Sequence, residues 1–284
     1  MCVFLLFGES DFMRKEVFFM NKTQAILLVS FGTSYLDSKE KTIDKILTKA
    51  AESFPDYAIY QAWTSKMIIH ILKNRDNLII PTIEEAMEQI VADGIKTLVV
   101  QPTHLINGLE NDVMIQTVSE HAPDTLEVRF GAPLLSTTED HNAALQAVLA
   151  EFSDIPEQDA LVFMGHGTTH YANSVYAALD YMLKDMGYLN IFMGTVEAYP
   201  DLNTLIRQVA KTNARRVHLA PFMLVAGDHA NNDMAGDEKD SWKSLFEAAG
   251  YEVTCHITGL GEYEGIQKIY LEHLEKCMEG LKSN

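Results

Sequence analysis

Residues 160–170 read ALVFMGHGTTH, a short apolar run closed by Gly165-His166-Gly167 and followed by hydroxyl-bearing side chains. Apolar residues without alternation, bounded by glycine, describe a strand buried on both faces, which is the usual condition of a parallel sheet. Glycines flanking a histidine permit the tight turn and close backbone approach that present one polar side chain at a strand's carboxyl end. The same plan stands earlier in the chain, where residues 25–30 (AILLVS) run into Phe31-Gly32-Thr33-Ser34-Tyr35. Residues 30–35 align with 165–170, and residues 102–110 (PTHLINGLE) align with 221–229 (PFMLVAGDH), which indicates an internal duplication. Phe31 then stands opposite His166, and Glu110 opposite His229.

Outward from these two turns, apolar runs alternate with stretches of helical period to the end of the chain. Further strands are predicted at 57–63, 97–101, 126–130, 191–195, 216–220 and 253–257. Helices are predicted at 37–53, 81–94, 111–121, 139–152, 172–186, 201–211, 240–249 and 262–281. In the first of these, Ile43, Ile46, Leu47 and Ala50 share a face. In the second, Pro81 stands at the start and Gly94 at the end, the usual asymmetry of helix termini. The fold class is therefore α/β, with two similar doubly wound domains built on parallel sheets. The expected division is an extension at 1–22, poorly ordered or a non-native start, then domains at 23–153 and 154–284, with the polar stretch 153–159 as boundary and the second domain carrying the metal site.

The 284 residues are 47% apolar and 22% charged, values of a folded globular chain. Asp and Glu outnumber Lys and Arg by 40 to 22, and a net charge of -18 repels polyanions, so nucleic acid is not an expected partner. No apolar stretch nears the roughly 18 residues that span a bilayer, so no integral membrane contact is expected. Cys2, Cys255 and Cys277 share no metal or redox spacing and suit a reducing, cytoplasmic compartment. The apolar start at residues 1–7 is interrupted by Glu9 and Asp11 and has no basic residues before it, which argues against a secretory signal. Met13 and Met20 are alternative starts, and the unusual extension leaves export open.

Three loops of the second half end successive strands, and each offers one residue able to hold a metal or move a proton: His166, Glu197 and His229. Two imidazoles and a carboxylate suit borderline divalent ions such as Co, Ni, Fe or Zn. Alone, each has a plainer account: a turn histidine, a solvated strand-end carboxylate, and a helix start capped by Asp228. Their common place at three strand ends favours a shared site. Of the other histidines, His70, His121, His141 and His273 fall on helices as surface residues. His218 and His256 fall in strands as structural imidazoles, and His104 and His170 stand near loop ends as supports for a site. Neither a phosphate-binding loop, a G-x-S-x-G elbow nor an H-E-x-x-H pattern is present. The turn at Ser30 to Ser34 suits either carboxylate binding through backbone N-H groups or helix capping.

LLVSFGTSY at 27–35, VFMGHGTTH at 162–170, VEAYP at 196–200, and PFMLVAGDHANNDMAGD at 221–237 followed by SWK at 241–243 resemble the anaerobic sirohydrochlorin cobaltochelatases of the class II chelatase family. The resemblance implies two ferrochelatase-like domains with a cleft between them, and a metal-binding and catalytic His, Glu and His at His166, Glu197 and His229. It implies a lyase of cobalamin biosynthesis that inserts Co2+ into sirohydrochlorin, or into precorrin-2, with release of two protons. Co2+ is then a substrate, with Fe2+ or Ni2+ as alternatives, and no prosthetic group is expected. Residues Phe31, Gly32, Thr33, Ser34, Leu105 and Ile106 are the expected wall for the tetrapyrrole face. Lys66, Lys73 and Arg75 are candidate partners for its carboxylate arms, since an acidic chain must recognise them locally. A non-catalytic metal or tetrapyrrole carrier is the rival from another class, and a homo-oligomer is compatible with the sequence.

Overall fold

A computed structural model describes residues 22–279 and divides the chain into two units. The expected extension lies outside the described residues apart from Lys22, whose ammonium donates to the carbonyls of Pro55 at 2.7 Å and Tyr57 at 3.1 Å.

The first unit begins with β1 (Gln24–Ser30), α1 (Leu36–Lys41), α2 (Ile43–Ser53), β2 (Ala58–Trp63), α3 (Lys66–Asp76) and α4 (Ile83–Ala92). It continues with β3 (Thr97–Pro102), α5 (Leu109–His121) and β4 (Glu127–Phe130). All four strands are parallel in the order β2-β1-β3-β4, with Ile26 level with Ile59 and Val99. Ala25, Leu27, Val29, Leu98 and Val100 pack on one face against Ile83, Met87 and Ile90 of α4 and Met114 and Val118 of α5. The alternate residues Ile26, Leu28 and Val99 are buried too, which is why these strands read as unbroken apolar runs.

Local chemistry sets where the helices start and stop. The helix predicted at 37–53 is two helices. At Thr42 the hydroxyl bonds back to Ser38 O at 2.6 Å and the backbone leaves helical geometry, a local competition typical of Thr. The helix predicted from Pro81 starts two residues further on, at Ile83. Thr82 is its N-cap, and Thr82 and Glu85 cap each other reciprocally. Helix α3 has no counterpart among the predicted elements. Only Leu72 in it is buried, so its apolar residues show no one-sided period. Its start is capped by Ser65, which accepts from Ile68 N-H.

The second unit contains α6 (Thr138–Glu151), β5 (Ala160–Gly165), α7 (Ser174–Asp185), β6 (Ile191–Thr195), α8 (Leu202–Val209), β7 (Arg216–Pro221), α9 (Trp242–Ala248) and β8 (Glu252–Cys255). Its strands are again parallel, in the order β6-β5-β7-β8, which repeats the order of the first sheet unit for unit. Ala160, Val162, Met164, Val217 and Leu219 pack on Leu205 and Val209 of α8 and Trp242 and Phe246 of α9. The closing helix α10 (Glu264–Glu279) ends the described chain.

The units divide at Leu134 and Leu135, and Gln267 onward returns to the first unit, so both edges differ from the expected 23–153 and 154–284. Helix α6 belongs with the second sheet. Phe152, just after it, meets the ring of Phe163 edge-on at 5.5 Å. Helix α10 is tied to the first sheet, where Tyr270 donates its hydroxyl to Thr103 O at 2.8 Å. A polar stretch marks where a chain is exposed but not which sheet the next helix covers. His273 also departs from its expected surface position. It is buried at 4% exposure, with Nδ1 3.0 Å from Ala132 O.

Candidate metal centre

The carboxyl ends of β5, β6 and β7 bring the three expected residues together. One ligand atom from each of His166, Glu197 and His229 lies within 4.8 Å of the other two. The backbone explains the first pairing. The β5 and β6 ladder runs on past the strands, with Val196 N-H donating to Gly165 O at 3.0 Å and Glu197 N-H to His166 O at 2.9 Å. Gly167 then turns away with a φ of +85°, and a Cβ there would lie 2.9 Å from both Ala198 N and Thr195 Cβ. Only glycine lets the two loops close on each other in this way.

Hydrogen bonding fixes which ring nitrogens keep a lone pair. His166 Nδ1 lies 2.8 Å from Gly167 O, and a carbonyl only accepts, so Nδ1 carries the hydrogen and Nε2 keeps its lone pair. His229 Nδ1 lies 2.6 Å from Asp233 Oδ2, and the same reasoning leaves its Nε2 free to bind a metal. The two rings meet edge to face, with centroids 4.6 Å apart and planes at 88°. Glu197 Oε2 stands 3.7 Å from His166 Nδ1.

The site is open. The side chains of His166, Glu197 and His229 are 47%, 53% and 31% exposed, in contrast to the closed four-ligand cage of a structural metal. Two imidazoles and one carboxylate are a donor set that suits a divalent cation and leaves coordination positions open.

Asp233 was not among the expected site residues. It lies on a π-helical turn, Ala230–Met234, directly after His229, and the i,i+4 spacing of His229 and Asp233 was legible in HANND. Asn232 Nδ2 donates to Asp228 Oδ1 at 2.8 Å on the same turn, so Asp228 is engaged within the turn.

The other histidines divide by their partners. His218 bridges Asp159 Oδ2 at 3.2 Å and His256 Nε2 at 3.0 Å, a buried structural group as expected, with His256 just past β8. Burial, and then the neighbouring His218, hold the His256 imidazole below its ordinary range. His170 Nδ1 accepts from Ala172 N-H and caps the turn Tyr171–Asn173. Both ring nitrogens of His104 are buried without a hydrogen-bond partner, and burial lowers its pKa to about 4.

His104 makes acid stability a measurable consequence. Its folded pKa lies below the unfolded value of about 6.5. The unfolded chain therefore takes up the proton first, and stability is lost as pH falls from about 6.5 to about 4. The loss is about 3 kcal/mol. Urea unfolding at pH 7 and pH 4.5, a window that crosses most but not all of this range, should show a decline that is shallower by about 2 kcal/mol in a His104→Phe variant. Equal declines in the two proteins would show that His104 does not carry it.

The expected tetrapyrrole-facing residues lie in the first unit. Phe31 is 45% exposed, while Thr33 is buried and accepts from Tyr35 N-H at 3.2 Å. Gly32 backs onto the Trp63 ring, Ser34 O accepts from Arg75, and Leu105 and Ile106 are half-buried after β3. Lys66 pairs with Glu84 and Arg75 with Asp76, which leaves Lys73 exposed on α3.

Residues 24–279 match the cobalt chelatase (CbiK) family. The sirohydrochlorin cobaltochelatase of Salmonella typhimurium is 39% identical over 255 residues, which cover 90% of this chain and 96% of that protein. The sirohydrochlorin cobaltochelatase CbiKC of Nitratidesulfovibrio vulgaris is 29% identical over 281 residues, 96% and 97% of the two chains. Among solved structures, the sirohydrochlorin chelatase SirB from Bacillus subtilis subspecies spizizenii, in complex with cobalt, superposes with a TM-score of 0.64 at 15% identity. The superposition covers 92% of this chain and 98% of that one, and it shows a shared fold. Among the described residues no helix is long and apolar enough to cross a membrane.

Proposed function

We propose that this chain, which belongs to the cobalt chelatase family, is a sirohydrochlorin cobaltochelatase that inserts Co2+ into sirohydrochlorin with release of two protons. The observation that carries the reading is the convergence of His166, Glu197 and His229 within 4.8 Å at the carboxyl edge of one sheet. That is where ligands bind in open α/β folds.

Insertion has two requirements: cobalt must exchange water for pyrrole nitrogens, and two of those nitrogens must lose their protons. Nε2 of His166 and of His229, with a carboxylate oxygen of Glu197, hold the metal through few ligands, so it can be handed on. Asp233 holds the His229 ring from behind and fixes its tautomer and orientation. Once the metal passes to the macrocycle, Nε2 of His166 is free to accept a pyrrole proton, and Glu197 beside it assists. Each proton leaves to solvent through these exposed side chains.

The test is the absorption change of sirohydrochlorin on mixing with the purified protein and Co2+, compared with Fe2+ and Ni2+ at equal free concentrations. Catalytic turnover that is fastest with cobalt is expected. Faster turnover with iron or nickel would reassign the metal, since ligand type alone does not select among these ions. Stoichiometric binding without a metallated product would instead identify a carrier.

A further inference from the structure

The loops that carry His166 and Glu197 leave different strands, and beyond the Glu197 N-H to His166 O hydrogen bond the Asn173 side chain spans them. Asn173 accepts from Thr168 N-H through Oδ1 at 3.1 Å and donates through Nδ2 to Tyr199 O at 2.7 Å. Thr168 lies two residues past His166, and Tyr199 two residues past Glu197. Asn173 stands at the N-cap position of α7, where an Asn ordinarily caps its own helix, yet its side chain makes no cap hydrogen bond there. The amide is committed to the two loops instead. One planar group that both accepts and donates is what such a bridge requires. Asp offers only acceptors when ionised, and Ser is too short to reach both.

Three residues on, along the same helix face, Tyr176 lies under the His166 turn. It is 3% exposed, and its ring packs so closely on Gly165 that a Cβ there would come within 2.4 Å of it. The start of α7 thus holds the first ligand loop from below through Tyr176 and joins it to the second through Asn173.

We propose that Asn173 is a positioning residue that fixes the separation of His166 and Glu197 and thereby sets the cobalt affinity of the centre. The proposal rests on the reading of His166, Glu197 and His229 as that centre. Without the bridge the Glu197 loop keeps its strand but loses the tie past it. Its carboxylate then spreads over many positions, and the ordering cost falls on metal binding.

The test uses the full chain with Co2+ alone, followed by the visible d-d absorption of the bound ion, and the insertion assay with sirohydrochlorin. Asn173→Ala and Asn173→Asp are expected to weaken cobalt binding about tenfold, within the range found for groups that orient metal ligands. They should raise KM for cobalt to match, leave KM for the tetrapyrrole within about twofold, and keep the thermal unfolding midpoint close to that of the parent. The effect should vanish in a Glu197→Gln background, because a residue acting through Glu197 has nothing left to position, whereas a purely structural defect would add. His229→Ala serves as the control for the centre itself. If it abolishes cobalt binding while both Asn173 variants bind within about twofold of the parent, the positioning role is overturned and the centre stands. If His229→Ala binds cobalt as the parent does, the centre is misassigned and the proposal falls with it.

Discussion

A His166→Ala variant is expected to metallate sirohydrochlorin roughly a thousandfold more slowly than the parent at saturating cobalt and tetrapyrrole, a barrier increase of about 4 kcal/mol. Two losses combine. The proposed site would lose the Nε2 lone pair of His166, which serves there first as a metal ligand and then as an acceptor for a pyrrole proton. The fold should tolerate the change. The side chain is 47% exposed, and its hydrogen bond runs only to the adjacent Gly167 carbonyl, so the stability change should stay within about 0.5 kcal/mol. Initial rates from the tetrapyrrole absorption, with thermal unfolding as the folding control, separate chemistry from damage. A folded variant within tenfold of the parent rate would remove His166 from the mechanism. Glu197→Ala should cost less, because the remaining two imidazoles still bind cobalt and His166 still accepts protons.

The sequence made the fold legible where burial is two-sided. Unbroken apolar runs such as 25–30 and 160–164 belong to central strands, and both became β1 and β5 nearly to the residue. Helix α3 escaped notice because its contacts are few. A helix that buries only Leu72 leaves no amphipathic signature, whatever its cap does. Domain edges were the least legible, since α6 and α10 are assigned by which sheet they cover. That depends on contacts such as Tyr270 with Thr103, over a hundred residues apart in sequence.

The site was legible for a different reason. Polar residues at three successive strand ends have one common neighbourhood in a parallel sheet, so His166, Glu197 and His229 could be grouped without coordinates. Residues that act through others gave no such sign. Asn173 reads as an ordinary helix-start residue, and only the geometry shows its amide turned to the two loops. His104 shows the limit from the other side. Its position after β3 resembled a site support, whereas its ring nitrogens are buried without partners.

Asp233 offers the second large effect, because it acts on affinity rather than on the proton transfer. The 2.6 Å contact with His229 Nδ1 does three things at once. It holds the hydrogen on Nδ1, keeps the ring from rotating, and raises the electron density that Nε2 presents to the metal. With Asp233→Ala, the other tautomer and other ring orientations become accessible, and cobalt affinity is expected to fall about 10- to 100-fold. Asp233→Asn keeps an acceptor oxygen but loses the charge, so its loss should be smaller, about threefold to tenfold, reflecting the stronger hydrogen bond made by an ionised acceptor. The order parent, Asn, Ala should appear both in cobalt titrations and in KM for cobalt, while KM for the tetrapyrrole stays level. Nitrogen-15 NMR of the His229 ring in the metal-free protein gives an independent reading, with Nδ1-H dominant in the parent and a tautomer mixture in Asp233→Ala. Equal cobalt affinity in all three proteins would mean that the π-helical turn alone fixes the ring and that the carboxylate has no part in metal binding.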